Sequence, residues 1–257
     1  MKVVLTKAQK FHDDIREKIQ SIGYEIIDHG AETEEFTAEE YGCDVLVGLD
    51  PFKGSDPDKF TNLRLFQATS AGYETIPLEK LRQNGVMFCN ARDVYSVPIS
   101  EFAVMRLLEI YKKAPLYYKH QREGLWQREF RLQEITDKKV GILGTGSIGI
   151  QIAKRLKAFD AVTIGFNRSG KEAEYFDSIH KIGEFEDMAG ELDVIIVALP
   201  LNDGSKYIIN RDILEKMHKK SVLINIGRGL SVDTEALADV LENGSILGAA
   251  LDVFEKE

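Results

Sequence analysis

Residues 139–149 read Lys-Val-Gly-Ile-Leu-Gly-Thr-Gly-Ser-Ile-Gly, and no other stretch limits the possible folds of this chain as narrowly. The run ending at Leu143 is a strand signal, and apolar positions from Ile148 to Phe159 recur at helical spacing. Gly144, Gly146 and Gly149 therefore fall in a tight turn that passes from a strand straight into a helix. Each glycine has its own task there. The first permits the bend, the second lets the backbone approach a bound group closely, and the third lets the helix lie against the strand. Ser147 and Ile148 open the helix, whose start offers unpaired N–H groups and the positive end of its dipole. A bare Gly-x-Gly-x-x-Gly is weak evidence, since glycines are common in turns. With these flanks it points to the pyrophosphate of a dinucleotide.

The strand that follows, Val162 to Phe166, ends in Asn167-Arg168-Ser169. In sites for NAD this place carries an acid that accepts hydrogen bonds from the adenosine ribose. Without that carboxylate a 2′-phosphate is not repelled, Arg168 can fork onto it, and Ser169 can add a third bond. The expected preference is NADP over NAD, the bland alternative being that Arg168 is a solvated loop charge.

Apolar strand runs alternate with helical patterns along the rest of the chain. Val3 to Leu5, Tyr24 to Ile27, Val45 to Leu49, Leu63 to Phe66 and Val86 to Cys89 read as strands, with helices from Phe11 to Ile22 and Leu78 to Asn84. Pro98 opens a long helical pattern, and a polar, arginine-rich stretch from Gln121 to Lys139 holds the only tryptophan, Trp126. Further strands are expected at Val194 to Leu199, Val222 to Asn225 and Ile246 to Leu251. Such alternation builds parallel sheets covered by helices on both faces.

The 257 residues suffice for two domains, and 44% hydrophobic with 29% charged residues is ordinary for a globular chain. A net charge of −9 disfavours nucleic acid or an anionic membrane as the main partner. No apolar run nears the ~20 residues of a membrane span, and the N-terminus lacks a signal-peptide core. Cys43 and Cys89 lie in or beside apolar runs and read as buried free thiols, which fits a reducing, cytoplasmic setting. No Cys/His cluster has zinc spacing, so no metal is expected.

The C-terminal third is the most specific text. Asn225-Ile226-Gly227-Arg228-Gly229, Val232-Asp233, Ala236-Leu237, Gly244 and Gly248-Ala249-Ala250-Leu251-Asp252-Val253-Phe254-Glu255 closely resemble the D-isomer-specific 2-hydroxyacid dehydrogenase family. Leu199-Pro200-Leu201, Ser96 to Ala103 and Gly124-Leu125-Trp126 have counterparts there too. The resemblance implies two doubly wound parallel-sheet domains of α/β class: a flavodoxin-like substrate domain over 1–97 and a Rossmann dinucleotide-binding domain over 98–257. It implies reversible hydride transfer between a nicotinamide cofactor and a small 2-hydroxy or 2-keto acid. Phosphoglycerate, glyoxylate or hydroxypyruvate substrates are nearby alternatives, and a homodimer built on the interdomain helix and the arm around Trp126 is expected.

By the same resemblance, Arg228 binds the substrate carboxylate and keto oxygen, and Glu257 partners a catalytic histidine. Asp252 lies near the nicotinamide amide, with Leu199, Pro200 and Ile226 along the ring. Ala71 and Gly72, in Thr69-Ser70-Ala71-Gly72-Tyr73, offer backbone N–H groups to the carboxylate, an ordinary turn being the other reading. Tyr95 faces substrate or is a packed aromatic. The family's histidine lies beyond its glutamate, whereas His12, His29, His120, His180 and His218 all precede Arg228 and read as surface or capping residues. The expectation is a truncated chain that binds cofactor but reduces slowly, by ~10²–10⁴-fold. A non-catalytic, dinucleotide-dependent binding protein is the alternative.

Overall fold

The computed structural model describes residues 1–8 and 10–256. They form two compact units, Met1–Val94 and Tyr95–Glu257, dividing upstream of the boundary expected after residue 97. The reason is that the long helix starts at Ser96, not at Pro98. Pro98 sits in its first turn, where an N–H has no intrahelical acceptor and the proline costs nothing.

The first unit runs β1 (Lys2–Leu5), α1 (Asp13–Ser21), β2 (Glu25–Asp28), α2 (Ala38–Tyr41), β3 (Val45–Gly48), β4 (Leu65–Ala68), α3 (Leu78–Gln83) and β5 (Met87–Cys89). Its five parallel strands lie in the order β2-β1-β3-β4-β5, that of a flavodoxin-like sheet. Alternate side chains of β1 serve both faces: Val4 joins Leu46, Phe66 and Leu81 in one core, while Val3 and Leu5 pack with Val45 in the other.

Three details of this unit depart from expectation. The strand expected at 63–66 forms two residues later, because Arg64 and Leu65 first bond to the Asp44 carbonyl. Cys43 is buried as expected, but Cys89 is exposed, since it ends the edge strand β5. His29 is not a surface residue: it is 4% exposed, stacks on Phe36 at 3.8 Å and sets Nδ1 3.0 Å from Glu40 Oε1.

The second unit contains α4 (Ser96–Tyr111), α5 (Ala114–Arg122), β6 (Lys139–Leu143), α6 (Ser147–Lys157), β7 (Val162–Asn167), β8 (Ser178–Lys181), α7 (Phe185–Met188), β9 (Val194–Val197), α8 (Arg211–Lys216), β10 (Val222–Asn225), α9 (Thr234–Glu242) and β11 (Gly248–Leu251). The six strands are parallel in the order β11-β10-β9-β6-β7-β8. Counted from β6, that is the Rossmann order, with the switch point between β6 and β9. Two cores cover its faces. One is built from Phe166, Phe185, Leu192 and Leu214, the other from Leu107, Tyr111, Ile142, Ile152 and Leu156. The polar edge strand β8 was not foreseen, nor was α5 beside the arginine-rich stretch. No helix among the described residues is long and apolar enough to cross a membrane.

Candidate functional site

The turn after β6 has the form its glycines require. Gly144 has φ +105°, and a Cβ there would lie 2.7 Å from the Ala198 carbonyl oxygen. A Cβ on Gly149 would overlap the Gly144 carbonyl oxygen, so the third glycine sets how closely α6 lies on the turn. Gly146 behaves differently: it is exposed and meets nothing within 4 Å. It is the N-cap of α6 in extended conformation, with no side-chain cap, and the first helical bond runs from Ile150 N to its carbonyl. The amides of Ser147, Ile148 and Gly149 thus have no helical acceptor. A backbone cradle of open amides on an eleven-residue helix fits a pyrophosphate. Ser147 Oγ is 2.8 Å from Ser96 Oγ, which ties the start of α6 to the start of α4.

At the end of β7, the Asn167 side chain acts as a brace. Its Nδ2 donates to Thr145 Oγ1 and to the Lys171 carbonyl, both at 2.9 Å, and its Oδ1 accepts from Ser169 N at 3.0 Å and Gly170 N at 2.6 Å. The amide is consumed in joining the phosphate turn to the loop 168–171. Arg168 and Ser169 are left exposed on that loop, and the Arg168 side chain has no ion pair or hydrogen bond among the described residues.

Arg228 follows β10 and is half-buried, with Nη1 donating to the Gly227 carbonyl at 2.8 Å. The turn that carries it is held by Asn225, which is fully buried. Asn225 Oδ1 accepts from Gly227 N at 3.1 Å, and its Nδ2 donates to the Arg228 carbonyl at 2.9 Å. Its own carbonyl accepts from Asp252 N at 2.9 Å, linking the ends of β10 and β11. This positioning residue was missed, although a polar side chain ending a wholly buried apolar strand is a signal, since it needs partners there.

The neighbouring positions divide by exposure. Asp252 and Pro200 are exposed and Leu199 half-buried. Ile226 is 5% exposed and packs in the core, so what it presents at the strand end is its backbone. Gly227 approaches the Leu199 segment closely: a Cβ there would lie 2.7 Å from the Leu199 carbonyl oxygen. Glu257 lies outside the described residues.

In the first unit, the turn after β4 has spent its acceptors and kept its donors. Ser70 Oγ donates to the Gly72 carbonyl and Asn90 Nδ2 to the Ala71 carbonyl, both at 2.7 Å, while Ala91 N takes the Ser70 carbonyl at 2.9 Å. The N–H groups of Ala71 and Gly72 make no hydrogen bond among the described residues. Successive free amides with satisfied carbonyls suit an anion. Tyr95 is half-buried immediately before α4.

Comparison with known proteins agrees with this geometry. A hydroxyphenylpyruvate reductase from Plectranthus scutellarioides is 34% identical over 202 residues, spanning 78% of this chain and 64% of that protein. A glyoxylate/hydroxypyruvate reductase from Arabidopsis thaliana is 33% identical over 219 residues, 83% of this chain and 66% of that protein. The chain thus spans less than two thirds of the length of these relatives. The solved structure of an NADPH-dependent glyoxylate/hydroxypyruvate reductase from Sinorhizobium meliloti, in complex with NADP and malonate, superposes with a TM-score of 0.80 at 28% identity, covering 100% of this chain and 80% of that one. Residues 104–257 match the model for the D-isomer specific 2-hydroxyacid dehydrogenase, NAD binding domain. The chain belongs to the D-isomer specific 2-hydroxyacid dehydrogenase family.

Proposed function

We propose that this chain binds a nicotinamide dinucleotide on the turn after β6 and transfers hydride between it and a small 2-hydroxy or 2-keto acid. The observation that carries the reading is the open amide cradle at Gly146–Gly149 in the same sheet as Arg228, each at the carboxyl end of a strand. That end is where ligands bind in open α/β sheets. The cofactor, when bound, supplies or accepts the hydride at its nicotinamide ring. Arg228 forks onto the carboxylate and keto oxygen and takes up the negative charge that grows on that oxygen. Ala71 and Gly72 give backbone N–H groups to the carboxylate, with Tyr95 beside the substrate. Leu199, Pro200, the Ile226 backbone and Asp252 border the nicotinamide, and Glu257 partners the proton-transfer group.

NADP is the preferred cofactor in this reading. Arg168 is exposed and unpaired among the described residues, so it is available for a 2′-phosphate. The Sinorhizobium meliloti relative, named as NADPH-dependent, points the same way. In the same reading the arm carrying Trp126 and Phe130, 93% and 84% exposed, builds a homodimer, and two free thiols fit a reducing, cytoplasmic setting.

The test is a fluorescence titration with NADPH and NADH, followed by keto-acid-dependent oxidation of NADPH. Wild type should favour NADPH by about tenfold or more, and Arg168→Ala should lose that preference. Arg228→Ala should lower kcat/KM by about 10²-fold. Equal affinity of wild type for both cofactors overturns the NADP preference, and failure to bind either overturns the dinucleotide site. Binding without turnover of glyoxylate, hydroxypyruvate, phosphohydroxypyruvate or pyruvate leaves a dinucleotide-dependent binding protein instead.

A further inference from the structure

The segment after β11 crosses the loop that carries Arg228 and is fastened on both sides of it. That loop runs from Asn225, the end of β10, to Thr234, the start of α9. On the first side Asp252 N donates to the Asn225 carbonyl at 2.9 Å. On the second, Glu255 Oε1 accepts from Thr234 N and from Thr234 Oγ1, both at 3.0 Å. Between the two fastenings the segment passes over Gly229, where a Cβ would overlap the Phe254 carbonyl. Only a residue without a side chain lets the two stretches touch, and it is the one next to Arg228.

Helix geometry explains why a carboxylate makes the second fastening. The first amides of α9 have no helical acceptor, and the N-cap Asp233 satisfies that of Ala236 at 3.0 Å. The Thr234 amide is left for a group from outside, and the positive end of the helix dipole favours a negative one. Glu255 supplies both the acceptor and the charge. Asp233 N donates to the Ile209 carbonyl at 2.9 Å, so the start of α9 is itself anchored to the segment before α8. The clip therefore closes onto a fixed point.

Arg228 lies beneath this strap. Its carbonyl accepts from Asn225 Nδ2 at 2.9 Å and from Ser231 N at 3.1 Å, bonds that fold the loop locally. A guanidinium that forks onto a carboxylate also needs its backbone held in place, since a misplacement of ~1 Å can cost ~10²-fold. We propose that Glu255 is a positioning residue for Arg228: its carboxylate clips the segment 252–255 across the loop and holds the guanidinium where a substrate carboxylate meets it. The proposal rests on the hydride-transfer reading above, in which Arg228 binds the acid.

The clip and its effect on the acid are read separately. Hydrogen exchange at the Ser231 amide, without ligand, should quicken about tenfold or more in Glu255→Ala while the amides of β6 and β9 keep their rates. Calorimetric titration of D-lactate into the NADPH complex, where no hydride can move, reads the acid. Glu255→Ala should weaken it about tenfold and Glu255→Gln, which keeps an acceptor oxygen, about threefold or less, with NADPH affinity within about twofold of wild type. Thr234 is exposed, so Thr234→Val folds whatever Glu255→Ala does. Losing only the hydroxyl donor, it should weaken the acid about threefold, and Thr234→Ser should bind as wild type does. With Arg228→Ala already present these losses should vanish, which a general loss of stability would not do. Unchanged exchange at Ser231, or a loss of acid binding that persists without Arg228, overturns the proposal. So does wild-type acid binding in Glu255→Ala where Arg228→Ala weakens it. Faster exchange in Glu255→Ala, with acid binding indifferent to Arg228 itself, upholds the clip and overturns the hydride-transfer reading.

Discussion

At the scale of single residues, the three glycines of one turn make separable demands. Gly149 is held by protein atoms, because a Cβ there would overlap the Gly144 carbonyl, whereas Gly146 borders open space with φ −77°, which any residue adopts. Gly146→Ala should therefore keep the wild-type Tm within about 1 °C while weakening dinucleotide affinity by about tenfold or more, since its methyl group fills only the cradle. Gly149→Ala should lower Tm by several degrees, because α6 must move, at a cost of about 1–3 kcal/mol. Thermal scans with and without NADPH check both. Wild-type affinity in Gly146→Ala would remove the pyrophosphate from this turn. Sequence spacing located these residues, while Arg228 was named only by the family resemblance. Neither showed that Asn167 and Asn225 are internal braces, because an amide's partners are set by which loops meet around it.

Among elements, the entry to α2 holds a buried ionisable group whose contribution depends on pH. Thr37 and Glu40 form a capping box, and Glu40 also meets His29. Burial pushes the Glu40 carboxyl up, but the Thr37 N–H, His29 and the Thr37 hydroxyl together outweigh it and hold the group below its usual range. A carboxyl depressed in the folded state stabilises the fold above its unfolded value of about 4.3, and the benefit is lost as pH falls through the folded value. Glu40→Gln should cost about 1–3 kcal/mol at pH 7, with the gap to wild type closing below about pH 4, as read by urea denaturation across pH. A gap that stays constant from pH 7 to 3 would show that the charge on Glu40 does not matter. This cluster was illegible in the sequence, where His29 looked like a surface residue. Tertiary packing buries it, with Phe36 stacked on its ring and Glu40 against Nδ1. Strand β8 was missed for a related reason: Ser178–Lys181 has no apolar period, and its backbone pairing with β7 alone makes it a strand.

For the whole molecule, the charge balance and the exposed aromatics bear on assembly. Trp126, the only tryptophan, is 93% exposed, and with Leu125, Phe130 and Tyr117 it lines a cavity of about 590 Å³. Burial of one such side chain in a homodimer is worth about 2–3 kcal/mol. Sedimentation should show a dimer that Trp126→Ser weakens, and dilution should shift the emission of Trp126 to the red as the pair separates. A strict monomer at micromolar concentration would remove the dimer reading. The apolar periods and the Gly144–Gly149 turn determined by themselves that the chain folds as parallel α/β sheets with a dinucleotide turn, because period and backbone freedom are local properties of residues. Tertiary structure alone decided which carbonyls are taken at Ala71 and Gly72, which carboxylate is consumed at Glu32 and, among the described residues, which stays unpaired at Asp50. Those outcomes depend on which strand ends become neighbours, and a hydrogen bond between residues far apart in the chain has no local signature.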